Sequence, residues 1–135
     1  MELALLDTDM LSEVLKRKSR RVIRKAAAYL REHEQFAISS ISRYEARRGL
    51  MERGADKQLT RFNVFCTHTL VLPIADVLLD RAADLWVVAR RKGLPACDAD
   101  LIIAAAALEH GRSLVTGNDT HFSWIPGLRL ENWRT

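Results

Sequence analysis

Acidic side chains border apolar segments that lie far apart in this sequence. Asp7 follows the apolar run at 3–6, Asp100 precedes the run at 101–104, and Glu45 lies between them. Carboxylates that a fold brings together repel one another unless a cation lies between them, and hard divalent cations prefer oxygen ligands. A bound magnesium or manganese ion lowers the pKa of an attacking water and neutralises charge on a phosphate. The pattern therefore predicts metal-assisted hydrolysis of a phosphodiester.

Each of these acids also has a simpler explanation when it is considered alone. Asp7 suits the N-cap of a helix that follows the first apolar run. Glu45 suits the solvated surface of a helix. Asp100 is harder to explain in this way, because its helix is apolar nearly all round and a carboxylate there is costly unless it is paired or metal-bound. The prediction of a metal site therefore depends on the acids jointly.

A second polar group follows the predicted strand at 113–116. Asn118 offers a carbonyl oxygen or can hold a metal-bound water, Asp119 offers a carboxylate, and Thr116 can bond a ligand or another acid. The alternative is an ordinary Asn–Asp turn. We expect Asn118 or Asp119 to help position the metal, its waters or the substrate.

The neighbours of these acids are further candidates. Thr8 or Asp9 is predicted to cap the first helix, and Asp98 is predicted to cap the helix at 98–108. With Thr116, these side chains are expected to contact the substrate or to support the metal ligands. No Ser/His/Asp or Cys/His pairing indicates a covalent nucleophile. The pKa of the Cys97 thiol is expected to be raised by the neighbouring Asp98.

The elements that must position these residues follow from the hydrophobic pattern. Short apolar strands alternate with amphipathic helices, which predicts an α/β fold with right-handed crossovers and a central parallel sheet of four to five strands in a three-layer α/β/α arrangement. An extra helical hairpin between the second and third strands is expected to project from the sheet. Strands are predicted at 3–6, 36–38, 70–72, 113–116 and 128–130, and helices around 10–15, 20–34, 40–51, 55–67, 75–92 and 98–108.

The bulk properties describe one domain over residues 1–135, long enough to bury a core. The net charge of +4 and the isoelectric point near 9.4 suit an anionic partner, although the excess is modest. No targeting or membrane segment is seen, so a cytoplasmic location and reduced cysteines are expected. The histidines have no zinc-type spacing.

Several loose motifs together have an order and spacing that resemble a known family. The chain resembles the PIN-domain ribonucleases, specifically the VapC toxins of type II toxin–antitoxin systems, over essentially its whole length. The segments that carry the resemblance are 5–9, 39–45 with Gly49, 100–105, 116–118 with His121 and Phe122, and 125–133.

The resemblance implies a PIN fold and a magnesium- or manganese-dependent endoribonuclease that a cognate VapB-like antitoxin inhibits. It also implies a homodimer, contact with promoter DNA only through the antitoxin, and no contact with a membrane. The alternatives that remain are a haloacid-dehalogenase-like phosphatase and a PIN-like domain that binds RNA or protein without catalysis. In the phosphatase, Asp7 would be a covalent nucleophile and Asp9 a general acid.

Individual residues match the family pattern to different degrees. Asp7, Glu45 and Asp100 match the core acids that hold the metal. Asn118 stands where the family often has a fourth acid, and Asp9 stands where it more often has asparagine.

Basic clusters offer contacts to an RNA backbone, which give affinity without sequence information. Arg47 and Arg48 are the favoured pair because they directly follow Glu45 and its neighbour in the sequence. Other clusters lie at 16–25 and 90–92. The alternatives are a solvated helical face and contacts to an acidic antitoxin segment.

Overall fold

The computed structural model describes residues 1–135 as five short strands and seven helices. All the predicted strands and helices are present, and only the short helix α7 was not predicted. The strands are β1 (Ala4–Leu6), β2 (Ala37–Ser39), β3 (Leu70–Leu72), β4 (Ser113–Val115) and β5 (Leu130–Glu131). The helices are α1 (Thr8–Lys16), α2 (Arg20–His33), α3 (Ser40–Glu52), α4 (Asp56–Thr67), α5 (Asp76–Arg91), α6 (Asp98–Glu109) and α7 (Asp119–Phe122).

The strands form one sheet in the order β3-β2-β1-β4-β5, and every neighbouring pair is parallel. This confirms the predicted parallel sheet. β1 lies at its centre, with Leu6 opposite Ile38 of β2 on one side and opposite Val115 of β4 on the other. Strands in such a position are covered on both faces, which explains why their sequences are continuously apolar.

Successive residues of the central strand enter cores on opposite faces of the sheet. Leu5 packs with α5 and α6, whereas Ala4 and Leu6 pack with α1, α2 and α4. Side chains alternate along a strand, so three consecutive apolar residues serve both cores. The result is the predicted three-layer α/β/α arrangement.

The sequence offers three N-cap candidates for α1, and the structure confirms one of them. Asp7, rather than Thr8 or Asp9, is the N-cap, because its carboxylate accepts a hydrogen bond of 2.7 Å from the backbone N–H of Met10. A capping carboxylate offsets one of the unpaired N–H groups at the helix start. Asp7 therefore has a structural role as the cap of α1.

The start of α6, by contrast, differs from the prediction. Cys97, rather than Asp98, is the cap residue, and its side chain makes no capping hydrogen bond. Asp98 and Asp100 both lie in the first turn. The partial positive charge of a helix N-terminus favours negative side chains there.

The helical hairpin between β2 and β3 consists of α3 and α4. The two helices pack on each other, and α3 also contacts α1 and α6. Phe62 of α4 is fully buried in the core shared with α1 and α2. The helix α3 therefore spans the edge of the sheet where the strands end. None of the helices has both the length and the apolar character needed to cross a membrane.

Candidate functional site

The candidate acids lie at the carboxyl edge of the sheet, where its strand order changes direction. The chain runs outward from β1 to β3 on one side, and then returns to β4 on the other side of β1. Asp7 follows β1 and Thr116 follows β4, and the Asp7 N–H donates to the Val115 carbonyl at 3.0 Å. Open α/β sheets bind ligands at such a switch point.

Asp7 is a buried carboxylate without a cationic partner. Its side chain is withdrawn from solvent, with the residue only 4% exposed. Burial raises the pKa of Asp7 to about 6, and the nearby charges of Asp9 and Asp100 also raise it. Hydrogen bonds from the Thr116 hydroxyl and the Met10 N–H oppose that shift. Negative charge is therefore concentrated around Asp7 and is only partly compensated by neutral donors.

Glu45 is held by a chain of hydroxyl groups that links α1 to α3. The Oγ1 atom of Thr8 lies 2.7 Å from Oε1 of Glu45 and 2.9 Å from Oγ of the buried Ser42. A hydroxyl has one proton and a carboxylate can only accept, so Thr8 donates to Glu45 and accepts from Ser42. This chain fixes one carboxylate oxygen of Glu45 on the side of α3 that faces α1.

Asp100 shares its surroundings with Glu45 and with two residues of other types. Its Oδ2 atom lies 3.4 Å from Nδ1 of His121. Burial raises the pKa of the Cys97 thiol, and the negative charges of Asp100 and Glu45 raise it further. The direction of this shift confirms the sequence-based expectation, but its causes are burial and these two acids rather than Asp98. The helices α3 and α6, which carry Glu45 and Asp100, are in contact with each other.

The donor chemistry of this edge fits a hard divalent cation. Asp7 has a buried, negatively charged oxygen with no positive group to balance it, and Asp100 adds to the negative charge. Oxygen ligands of this kind suit magnesium and manganese. No three histidine, cysteine, aspartate or glutamate side chains are grouped closely enough to hold an ion. Glu45 instead engages Thr8 and lies 3.7 Å from Nη2 of Arg48.

Arg134 neutralises the acids at the outer rim of the site, which the sequence did not reveal. Its Nη2 atom lies 3.2 Å from Oδ2 of Asp9 and 3.1 Å from Oε1 of Glu13. Its guanidinium covers Gly117, where an added Cβ would lie 2.9 Å from Cζ of Arg134. A contact between residues so far apart in sequence has no local signal, so only the fold could identify it.

The remaining polar candidates lie on the exposed rim. The backbone N–H of Asn118 donates to the Thr116 hydroxyl at 2.9 Å, which anchors the loop after β4. Asn118 and Asp119 are exposed, and neither side chain makes a hydrogen bond or ion pair to the other acids. Asp98 is also exposed, in the first turn of α6. Hydrogen bonds therefore link Asp7 to Thr116 and Thr116 to the backbone of Asn118, whereas none joins Asp98 or Asp119 to the other acids.

The favoured arginine pair is engaged within the protein. Arg47 donates to Oδ1 of Asn63 at 2.9 Å, which links α3 to α4. Arg48 lies over the ring of Tyr44, with 4.9 Å from its Cζ to the ring centroid, and beside Glu45. These contacts fix where each guanidinium points, although its remaining N–H groups are still able to donate.

A family model and one known protein both match most of this chain. The model of the PIN domain family matches residues 4–128. Ribonuclease VapC2 from Rickettsia felis is 29% identical over 105 residues, which cover 77% of this chain and 78% of that protein.

Solved structures share the fold over nearly the whole chain. A chain of DNA-bound VapBC from Salmonella typhimurium has a TM-score of 0.86 and 26% identity, with 98% of this chain and 99% of that chain covered. A chain of VapBC2 from Rickettsia felis, bound to a DNA fragment from its promoter, has a TM-score of 0.86 and 24% identity, with 96% and 98% covered. The second similarity, at this identity, concerns the fold alone.

Proposed function

Because the chain belongs to the PIN domain family, we propose that it is a metal-dependent endoribonuclease that acts as the toxin of a toxin–antitoxin pair. The observation that carries the proposal is the Asp7 carboxylate, buried at the switch point of the sheet without a cationic partner. The similar Ribonuclease VapC2, by its name, supports RNA as the substrate. The family match also favours this function over a haloacid-dehalogenase-like phosphatase.

Asp7, Glu45 and Asp100 are the residues that would hold magnesium or manganese. When bound, the ion supplies a water of lowered pKa and neutralises charge on the scissile phosphate. The Thr8 hydroxyl orients the Glu45 carboxylate, and the Thr116 hydroxyl does the same for Asp7. Groups that are held in place before the substrate arrives lower the cost of reaching the transition state.

The rim residues would act on the substrate rather than on the buried acids. Asn118 stands at the start of α7 with its amide exposed, so it can donate to a phosphate oxygen or to a bound water. Asp119 follows it and offers an additional acceptor for water. Cys97 has a raised thiol pKa, so it is a poor thiolate nucleophile and direct attack by water is favoured.

A VapB-like antitoxin is the proposed protein partner. The similar chains from Salmonella typhimurium and Rickettsia felis were solved in VapBC complexes, and both complexes contain DNA. By analogy, the chain would work in the cytoplasm as a homodimer, and would reach promoter DNA only through the antitoxin. Inhibition by a separate protein suits an enzyme whose substrate is cellular RNA.

Cleavage of total cellular RNA by the purified chain, freed of antitoxin, tests the enzymatic part of this proposal. Magnesium or manganese should support cutting by the wild type, and EDTA should abolish it. Asp7→Asn should be inactive, because it removes a charged metal ligand but keeps the helix cap. Asp84→Asn is the matched control, since Asp84 lies exposed on α5, away from the carboxyl edge of the sheet.

The outcomes separate the nuclease from the alternatives. Full activity in Asp7→Asn, or undiminished cutting in EDTA, would contradict the proposed metal site. RNA binding that is equal in wild type and Asp7→Asn, without cutting in any metal, would instead identify a binding domain that lacks catalysis.

A further inference from the structure

A cleft of about 520 Å³ lies beside the acidic site, between α1, α3 and α4. Thr8 and Glu45, which belong to the site, line one part of this cleft. A molecule that lies in the cleft can therefore continue directly onto the acidic residues. We call this space the basic cleft, after the charges of Lys16, Lys18, Arg53 and Arg61 in its wall.

The cations of the basic cleft have no acidic partners. All are exposed, and none lies within ion-pair distance of a carboxylate. Arg81, Arg129 and Arg134, by contrast, are each paired with an acid elsewhere on the surface. Unpaired cations in a concave surface concentrate positive potential and attract an anionic ligand.

Arg53 extends this positive charge towards the acidic site. Glu45, Gly49 and Arg53 are spaced four residues apart on α3 and at its C-cap, so they lie along one side of the helix. A Cβ added to Gly49 would lie 3.5 Å from Nη1 of Arg53, which shows that the guanidinium folds back along the helix. Because Gly49 has no side chain, it leaves space in the part of the cleft that it lines.

The floor of the basic cleft is apolar. It is formed by Leu15 of α1, by Ala46 and Leu50 of α3, and by the ring of Phe62 on α4. A ligand that suits both surfaces carries regularly spaced negative charges together with flat, weakly polar groups. Single-stranded nucleic acid has this combination, since its phosphates can meet the cations while its bases rest on apolar surface.

We propose that the basic cleft binds the sugar–phosphate backbone of the single-stranded RNA substrate on one side of the scissile phosphate. The inference rests on the proposed nuclease function, and it specifies where the substrate enters. Continuity with Glu45 and Thr8 favours RNA over an acidic protein segment, because the strand that fills the cleft must also reach the metal ligands. Lys16, Lys18, Arg53 and Arg61 then carry the contacts, whereas Arg47 and Arg48 keep their places within the protein.

The test measures RNA binding without cleavage. A fluorescently labelled, mixed-sequence single-stranded RNA is titrated in EDTA over a series of salt concentrations, and its anisotropy is recorded. The double variant Arg53→Gln, Arg61→Gln is compared with Arg31→Gln, Arg129→Gln, which removes the same charge from exposed arginines that precede β2 and β5, at the opposite edge of the sheet. Circular dichroism verifies that both variants are folded.

Loss of two phosphate contacts makes the dependence of log affinity on log salt shallower by about 1.4, at about 0.7 per contact. We expect this change, with about tenfold weaker binding at low salt, in the cleft variant only. An unchanged slope in the cleft variant, or an equal change in the control, overturns the inference. It is also overturned if an oligoglutamate peptide binds through Arg53 and Arg61 more tightly than the RNA does.

Cleavage in magnesium separates this inference from the proposed function. If the wild type and the cleft variant cut RNA equally well, the nuclease stands and the cleft assignment fails. If RNA binds through Arg53 and Arg61 but no metal supports cutting, the cleft assignment stands and the nuclease fails.

Discussion

Arg134 holds Asp9 at the rim of the acidic site, with 3.2 Å between Nη2 of the arginine and Oδ2 of the aspartate. The same guanidinium also reaches Glu13 and covers Gly117. Asp9 therefore has a compensating charge that Asp7 lacks. Asp9 is thus an outer acid that is paired within the protein, whereas Asp7 is an inner acid whose charge is left free for a cation.

The contact between Arg134 and Gly117 predicts a background-dependent effect of Gly117→Ala. Gly117 has an ordinary backbone conformation, so alanine should stabilise the protein by about 0.4–1 kcal/mol through the unfolded chain when nothing obstructs it. We expect this gain in the Arg134→Ala background, where only Oδ2 of Asp9 lies close to the added Cβ, at 3.1 Å, and the exposed carboxylate is free to turn away once its arginine partner is gone. In the wild type the gain should be lost, because the new Cβ displaces the guanidinium from Asp9 and Glu13. Urea unfolding of the four proteins measures the coupling, and an equal effect in both backgrounds would contradict the contact.

Asp7→Asn should stabilise the metal-free protein at neutral pH. Burial raises the pKa of Asp7 from 3.8 to about 6, a change worth roughly 3 kcal/mol against the folded state. Well below pH 3.8 the carboxyl is protonated in both folded and unfolded chains, so the penalty is absent. It grows as the pH rises towards 6 and is complete above that value.

The measurement is the free energy of unfolding of wild type and Asp7→Asn in EDTA at a series of pH values. The variant should be more stable above pH 6, and the two curves should converge as the pH falls below 3.8. Asp84→Asn should show no comparable pH-dependent difference from wild type. A variant that is less stable than wild type at pH 7.5 would show that the charged form of Asp7 supports the fold.

Magnesium or manganese should raise the unfolding temperature of the wild type. Binding to the folded state alone contributes about 1.4 kcal/mol when the free metal is tenfold above its Kd. Asp100→Asn should lose most of this increase because it removes a ligand charge, whereas Asp84→Asn should retain it. Scanning fluorimetry with and without metal provides the readout, and an equal shift in both variants would exclude Asp100 as a ligand.

Thr8→Val should destabilise the protein by about 1–2 kcal/mol, because the buried hydroxyl of Ser42 and the Glu45 carboxylate both lose a partner. Valine preserves the shape of the side chain, so the packing of α1 is kept. Thr60→Val is the control, since the exposed Thr60 hydroxyl bonds only the carbonyl of Asp56 within its own helix. Urea unfolding compares the two, and a smaller cost for Thr8→Val than for Thr60→Val would refute the role of the hydroxyl chain.

The places of Asp7 and Asp100 in the fold follow from the sequence, because each borders an element whose burial is obvious. Asp7 follows a continuous apolar run, and Asp100 lies on a helix that is apolar on nearly every side. In a parallel sheet the carboxyl ends of all strands lie at one edge, so residues that follow different strands are brought near one another. These residues are specified by local pattern and by the rules of sheet connection.

The sequence does not predict partners that depend on the tertiary path. Arg134 reaches Asp9 across 125 positions, and nothing in either segment signals that contact. Arg47 follows Glu45 closely in sequence, yet its side chain turns to Asn63 on another helix. The rotation of a helix about its axis decides where such a side chain points. The spacing of residues in the sequence does not reveal that rotation.

The double use of Asp7 has a genetic consequence. Aspartate and asparagine codons differ by a single base, and asparagine caps a helix as well as aspartate does. One point mutation therefore leaves the α1 cap in place while it removes the charge on which the proposed chemistry depends. If the proposed toxin function is correct, selection against a harmful gene would readily find this change, and the inactive protein would still fold and still bind the proposed antitoxin.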